Sequence, residues 1–368
     1  VIAIAASLVI PAKTAHADSF RADQWYLKTL RITQAHTITK GAGVKVAVID
    51  TGVYPHPDVR RNLLAGTDLV SGNNRDGRID DDGHGTNMAS IIAAHGRGRS
   101  DGVLGIAPSA RILPVKITNR GNSMPAKTMA AGVRWASEHG ATVINVSAET
   151  GPAFELADAI QAAVTGNIVV VAGVGNTSKQ AIIAYPAAID GVLVVGSVNR
   201  ADESASFSIH SPKVQICAPG VDITTADKTG EYVDIDGTSA STAVVSGAAA
   251  LLRARFPDLP ANEIVHRLVA TADDVGPPGR DDECGFGVVN VMKALTTDVP
   301  PLAGSAASPA VVPAKSSSGA ATTSPITAFT PQGEADDDST AVLLGGLGGV
   351  GLALGALAFF SLRRRRNF

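Results

Sequence analysis

Aromatic residues are scarce in this chain of 368 residues, at 4% of the total. Hydrophobic residues nonetheless reach 45%, so the core must be filled with small and β-branched aliphatic side chains, and disorder along the whole chain is excluded. Only two cysteines are present, which rules out a disulfide-dense scaffold and a cysteine-rich zinc module. Charged residues make up only 18%, and 31 basic side chains face 34 acidic ones. The resulting net charge of −3 offers no basic footprint for nucleic acid. No internal repeat of 20–50 residues is found, which excludes a solenoid or propeller.

Charge is missing altogether from two stretches. Residues 1–10 (VIAIAASLVI) are apolar, and Pro11 and Ala15-His16-Ala17 follow. This pattern reads as the hydrophobic part of a secretory signal with an A-x-A cleavage site, so residues 1–17 are expected to be a partial signal peptide. Residues 341–362 form an uncharged run of 22. At about 1.5 Å per residue, a helix of that length matches a hydrocarbon core of about 30 Å. Glu334 and Asp336–Asp338 precede the run and Arg363–Arg366 follow it. A transmembrane helix over 341–362 is therefore expected, with a basic cytoplasmic tail at 363–368. The chain would then cross the cell membrane once, its folded part outside the cytoplasm. Residues 299–340 are rich in Pro, Ala, Ser and Thr and read as a linker. Residues 18–298 remain as the folded domain.

Within that domain, strands are predicted at 44–50 (VKVAVID), 111–117 (RILPVKI, despite Pro114), 141–146 (ATVINV), 168–172 (IVVVA) and 192–197. Helical patterns cover 125–139, 153–165, 239–256 and 261–271, and an apolar helix extends through 90–94 after Gly83-His84-Gly85. Alternating strands and helices predict an α/β fold with a mostly parallel sheet. Functional groups in such a sheet gather at the carboxyl ends of the strands.

Three polar residues fit poorly into a purely structural account. Asp50 closes an apolar strand before Thr51-Gly52. His84 stands between glycines at a helix start, and so does Ser239 in Gly237-Thr238-Ser239. Taken singly they read as a turn residue, a loop histidine and a helix cap. Taken together, in the order Asp, His, Ser, they resemble the subtilisin-like serine proteases, the subtilases. The resemblance rests on VAVIDTG (46–52), HGTNMA (84–89) and GTS (237–239). Supporting segments are GIAP (105–108), VINVS (143–147), YPA (185–187), APG (218–220) and GFGVVN (285–290). It covers about residues 25–296.

The resemblance implies a subtilisin-like three-layer fold and a serine endopeptidase acting on proteins or peptides. Ser239 would be the nucleophile, His84 the general base and acid, and Asp50 the group that orients the imidazole. Asn176, in Gly173-Val174-Gly175-Asn176 after the strand IVVVA, would share the oxyanion hole with the Ser239 backbone N–H. An extended substrate would lie along Asn119, Gly121 and Ser123 on one side and Val146, Ser147, Ala148 and Glu149 on the other. Glu149 either lines the specificity pocket, favouring a basic side chain, or points into solvent. Where most relatives carry Pro in the serine motif, this chain has Ala243.

The resemblance implies no cofactor. Asp76, Asp80, Asp81 and Asp82 form an acidic loop that reads as solvated, with a calcium site as the alternative; it lacks EF-hand spacing. Pairing of Cys217 with Cys284 is left open. No pro-domain pattern separates residue 17 from Trp25. With the linker and the membrane span, this resembles the mycosins, membrane-anchored subtilases of type VII secretion. A secretion complex is thus an expected partner, and a mainly structural duty within it is the alternative to proteolysis.

Overall fold

The computed structural model describes residues 19–71, 75–98, 100–121, 124–176 and 183–302. Runs such as VKVAVID and IVVVA are apolar on both faces of a strand, so both faces need cover. In chain order the elements are α1 (Ser19–Asp23), α2 (Trp25–Thr29), α3 (Ile32–Ala35), β1 (Lys45–Asp50), β2 (Thr67–Asp68), α4 (His84–Ala93), β3 (His95–Arg97), β4 (Asp101–Leu104), β5 (Arg111–Lys116), α5 (Ala126–Glu138), β6 (Val143–Val146), α6 (Phe154–Thr165), β7 (Val169–Gly173), β8 (Leu193–Val198), β9 (Ile216–Pro219), β10 (Ile223–Ala226), β11 (Tyr232–Ile235), α7 (Thr238–Arg255), α8 (Ala261–Ala270) and α9 (Val291–Thr296). Seven strands form the main sheet in the order β2-β5-β1-β6-β7-β8-β9, and every pairing in it is parallel. β3–β4 and β10–β11 are separate antiparallel pairs.

Strand periodicity sorts the side chains into two cores. Val46 and Val48 of β1 and Val169 and Val171 of β7 face α4 and α7, where Met88, Ile91, Val244 and Leu251 meet them. Ala47, Ile49, Val170 and Ala172 face the opposite way, toward Met129, Val133, Leu156 and Ile160 of α5 and α6. The result is an α/β/α sandwich, as expected for a subtilisin-like domain. Helix α7 is buried continuously from Thr238 to Arg253. A helix enclosed all round needs small side chains to let neighbours approach. A Cβ at its Gly247 would stand 2.6 Å from the Ile106 Cβ. That close packing accounts for an alanine-rich, aromatic-poor composition.

The predicted strands and helices match the observed ones to within one or two residues, and the helix expected to start at His84 and extend through 90–94 spans His84–Ala93. Pro114 is accommodated because Ile112 and Lys116 direct their backbone groups outward, to Asn62, Leu64 and Leu69. Pro114 lies between them in the same phase, so its missing N–H weakens the outer edge and spares the pairing with β1. The short elements, among them the edge strands β2 and β9 of the main sheet, were not predicted, since two to six residues carry too little periodicity. Cys217 of β9 and Cys284 form a disulfide with a Cα separation of 4.9 Å. Among the described residues no helix is long and apolar enough to cross a membrane. The signal peptide at 1–17, the span at 341–362, the tail at 363–368 and the linker from 303 onward lie outside the described residues.

Because the main strands run parallel, their carboxyl ends share one edge. Extending the pairing Val48↔Asn145 by two residues brings Asp50 level with Ser147. The pairing Val146↔Ala172 sets the end of β7 beside them.

Candidate active site

Asp50, the last residue of β1, is fully buried. Its Oδ1 accepts the Thr51 N–H at 2.7 Å. Both its carboxylate oxygens stand 2.8 Å from His84 Nδ1. A carboxylate only accepts, so Nδ1 carries the proton and donates it, leaving Nε2 as the lone-pair nitrogen. Burial pulls the His84 pKa down. The charge and hydrogen bond of Asp50, with Asp82 and Asp80 farther off, outweigh this and hold it above the ordinary histidine value. Gly85 permits the close approach of α4 to β1, since a Cβ there would stand 2.0 Å from the Gly52 carbonyl oxygen.

The start of α4 is fixed by Asp80. Its Oδ1 accepts from Thr51 Oγ1 (2.8 Å) and from the N–H groups of Gly83 (2.8 Å) and Asp82 (3.1 Å). Its Oδ2 accepts the Thr86 N–H (2.9 Å) and Thr86 Oγ1 (2.6 Å). This corrects the reading of the acidic loop as solvated at Asp80 alone, which is buried and caps the helix that carries His84, while Asp81 and Asp82 are exposed and Asp76 is half-buried. The other acidic groups also have protein partners. Asp81 pairs with the buried Lys116, Asp82 accepts the Gly121 N–H at 3.1 Å, and Asp76 pairs with Arg78 at 3.3 Å. Among the described residues no three His, Cys, Asp or Glu side chains are grouped to hold a metal ion.

Ser239 lies in the first turn of α7 and is buried. Its Oγ donates to the Ser147 carbonyl oxygen at 3.4 Å, and Ser147 Oγ donates to the Ser239 carbonyl oxygen at 3.2 Å. A buried polar chain supports this contact: Ser246 Oγ donates to Asn145 Oδ1, and Asn145 Nδ2 donates to Ser147 Oγ, each at 3.0 Å. Asn176 Oδ1 accepts the Thr238 N–H at 2.7 Å and Thr238 Oγ1 at 3.0 Å. A backbone N–H requires an oxygen opposite it, which fixes the amide orientation and leaves Nδ2 as a free donor. Thr238, Asn145, Ser246 and Asp80 are the supporting residues that sequence reasoning missed. Thr238 adjoins Ser239 in the serine motif, and Asp80 precedes His84 by four positions, so proximity to a motif was their only signal.

The expected substrate-binding residues divide. Val146 and Ser147 are buried at the end of β6, with Ser147 against Ser239. Ala148 is half-buried and Glu149 exposed overall. The Glu149 carboxyl end lies over Gly175, and burial alone raises its pKa. Asn119 is exposed and Gly121 is held by Asp82, both in the loop after β5. Ser123 lies outside the described residues.

Residues 41–287 match the subtilase family, peptidase family S8. The chain is a subtilase. It is 36% identical to subtilisin DY of Bacillus licheniformis, over 69% of this chain and 92% of that protein. It is also 36% identical to mycosin-4 of Mycobacterium tuberculosis, over 77% of this chain and 72% of that one. Among solved structures, MycP1 with its N-terminal propeptide removed matches with a TM-score of 0.67 and 34% identity, covering 75% of this chain and 98% of that one. MycP3 from the type VII (ESX-3) secretion system matches with a TM-score of 0.65 and 31% identity, covering 79% of this chain and 91% of that one. This subtilase is therefore a serine endopeptidase related to the mycosins.

Proposed function

We propose that this subtilase cleaves peptide bonds through Asp50, His84 and Ser239, on a domain exported from the cytoplasm and tethered to the cell membrane by residues 341–362. The observation that carries the reading is the bond of His84 Nδ1 to both Asp50 oxygens at 2.8 Å, on the sheet edge where Ser239 and Asn176 also stand. For the reaction, Ser239 Oγ must leave the Ser147 carbonyl oxygen and hydrogen-bond to His84 Nε2. Oγ attacks the substrate carbonyl as Nε2 removes its proton. Asn176 Nδ2 and the Ser239 N–H, an orphan donor of the first helical turn, receive the developing oxyanion. The imidazolium, stabilised by Asp50, gives its proton to the leaving amine, and an acyl-enzyme on Ser239 remains. Water, deprotonated by His84, releases the acid and restores the serine.

Residues 119–123 and 146–149 lie after β5 and at the end of β6, the two segments expected to hold an extended peptide by main-chain bonds. The kinship with mycosin-4 and with MycP1, described as an essential component of the type VII (ESX-1) secretion system, supports a place in type VII secretion. Fluorophosphonate labelling tests the enzymatic reading. The expected result is a covalent adduct on Ser239 that Ser239→Ala abolishes, with peptide hydrolysis falling by about six orders of magnitude, as for loss of this serine in subtilisin. Folded protein that never labels would reject it. Secretion that survives in Ser239→Ala but fails in a deletion strain would establish the structural duty instead.

A further inference from the structure

The cleft beside Ser239 contains a carboxylate that neither the fold nor the mechanism uses. Glu149 follows Ser147 by two residues, and Ser147 is in direct contact with Ser239. The Glu149 side chain turns back over the segment that leads to Asn176. A Cβ at Gly175 would stand 2.9 Å from Glu149 Oε1 and 2.7 Å from Ile209 Cδ1. Gly175 has a φ of +113°, so the glycine both permits the turn before Asn176 and leaves room for the carboxyl group. Glu149 makes no ion pair and no hydrogen bond among the described residues, and no neighbouring charge adjusts its pKa. The other acidic groups of this edge, Asp50, Asp80, Asp81 and Asp82, all have protein partners.

The reaction geometry defines what enters this cleft. The attacked carbon lies at Ser239 Oγ, with its oxygen toward Asn176 Nδ2 and the Ser239 N–H. The residue that owns this carbonyl has its Cα one bond away. Its side chain therefore starts within reach of residue 147 and of the segment that leads to Asn176, and the Glu149 carboxyl group lies over Gly175 in that segment. An apolar side chain entering there would cover the Glu149 carboxylate without pairing it, whereas a basic side chain would pair with it. Discrimination is strong where a site holds a polar group that only the correct substrate satisfies.

We propose that Glu149 makes this enzyme selective for Lys or Arg on the acyl side of the scissile bond, the basic side chain meeting the Glu149 carboxylate in the cleft over Gly175. The inference rests on the proteolytic reading above. The test uses the full chain and tetrapeptide p-nitroanilides that differ only in the last residue: Lys, Arg, Leu or Glu. In the wild type, kcat/KM for Lys and Arg is expected to exceed that for Leu by about tenfold or more. Glu149→Gln should collapse the Lys-to-Leu ratio to about unity, and Glu149→Lys should turn preference toward Glu. Glu149→Asp, which keeps the charge on a shorter stem, should retain part of the ratio. Equal turnover of Lys and Leu by the wild type, or a ratio unmoved in Glu149→Gln, overturns the inference while the proteolytic reading stands. A wild type that neither labels with fluorophosphonate nor cleaves any of the peptides overturns both.

Discussion

The two halves of the proposed catalytic edge differ in how much of their hydrogen-bonding capacity the protein has already used. In the Asp50–His84 half almost all of it is taken. Asp50 is held by Thr51 and His84, and Asp80 accepts five hydrogen bonds that lock the start of α4. In the Asn176–Ser239 half, Ser239 Oγ is held by the Ser147 carbonyl oxygen and the acceptor end of Asn176 by Thr238, but among the described residues the Asn176 amide donors stay free. Under the proposed mechanism the difference follows from when each half must act. A base needs one tautomer and one orientation before substrate arrives, so fixing it early costs nothing later. Donors for an oxyanion must meet a charge that exists only in the transition state, so they are held in place and left unsatisfied.

The comparison can be broken most severely at the base. Asp50→Asn should lower kcat by about four orders of magnitude, because the new amide forces the wrong imidazole tautomer. Single-turnover rates on protein with an unchanged circular dichroism spectrum would check this. The donor half should prove costly by a smaller factor. Asn176→Ala is expected to lower kcat by about 10²–10³-fold, the range found for the equivalent loss in subtilisin, with KM little changed because the donor acts mainly on the transition state.

The smallest effect concerns pH. His84 has its pKa raised, so activity should fall, as the solution is acidified, through a pKa above the ordinary histidine value: protonated Nε2 has no lone pair for the Ser239 proton. In the residual activity of Asp50→Asn that limb should move to lower pH, since burial remains while the attraction of Asp50 is gone. A kcat/KM profile from pH 5 to 9 distinguishes the two positions, and a limb that does not move would show that Asp50 sets geometry alone.

Much of the core was legible in the sequence because its strands are continuous β-branched runs and α7 is an uninterrupted small-residue helix. The same runs located Asp50 and Asn176, each at or just beyond the end of such a strand. The outer features were not legible. The β3–β4 and β10–β11 pairs have only three or four residues per strand, and their partners are chosen by contacts elsewhere in the chain. Asp80 looked like one acidic residue among several. Only the folded turn shows that its carboxylate is surrounded by the donors of Thr51, Gly83 and Thr86. Thr238 likewise gained a role only once β7 and α7 were side by side.

The sequence by itself determined the α/β class, the positions of the main elements and the residue types able to carry the chemistry, because these depend on local periodicity and on motifs within a few neighbours. The tertiary structure alone decided the bond between Asp50 and His84, the disulfide between Cys217 and Cys284 and, among the described residues, the free end of Asn176 and the unpartnered carboxylate of Glu149. Each of these is a matter of a few ångströms between groups separated by 26 to 67 positions in the chain, and only the stacking of parallel strands and the helices packed on them sets such distances.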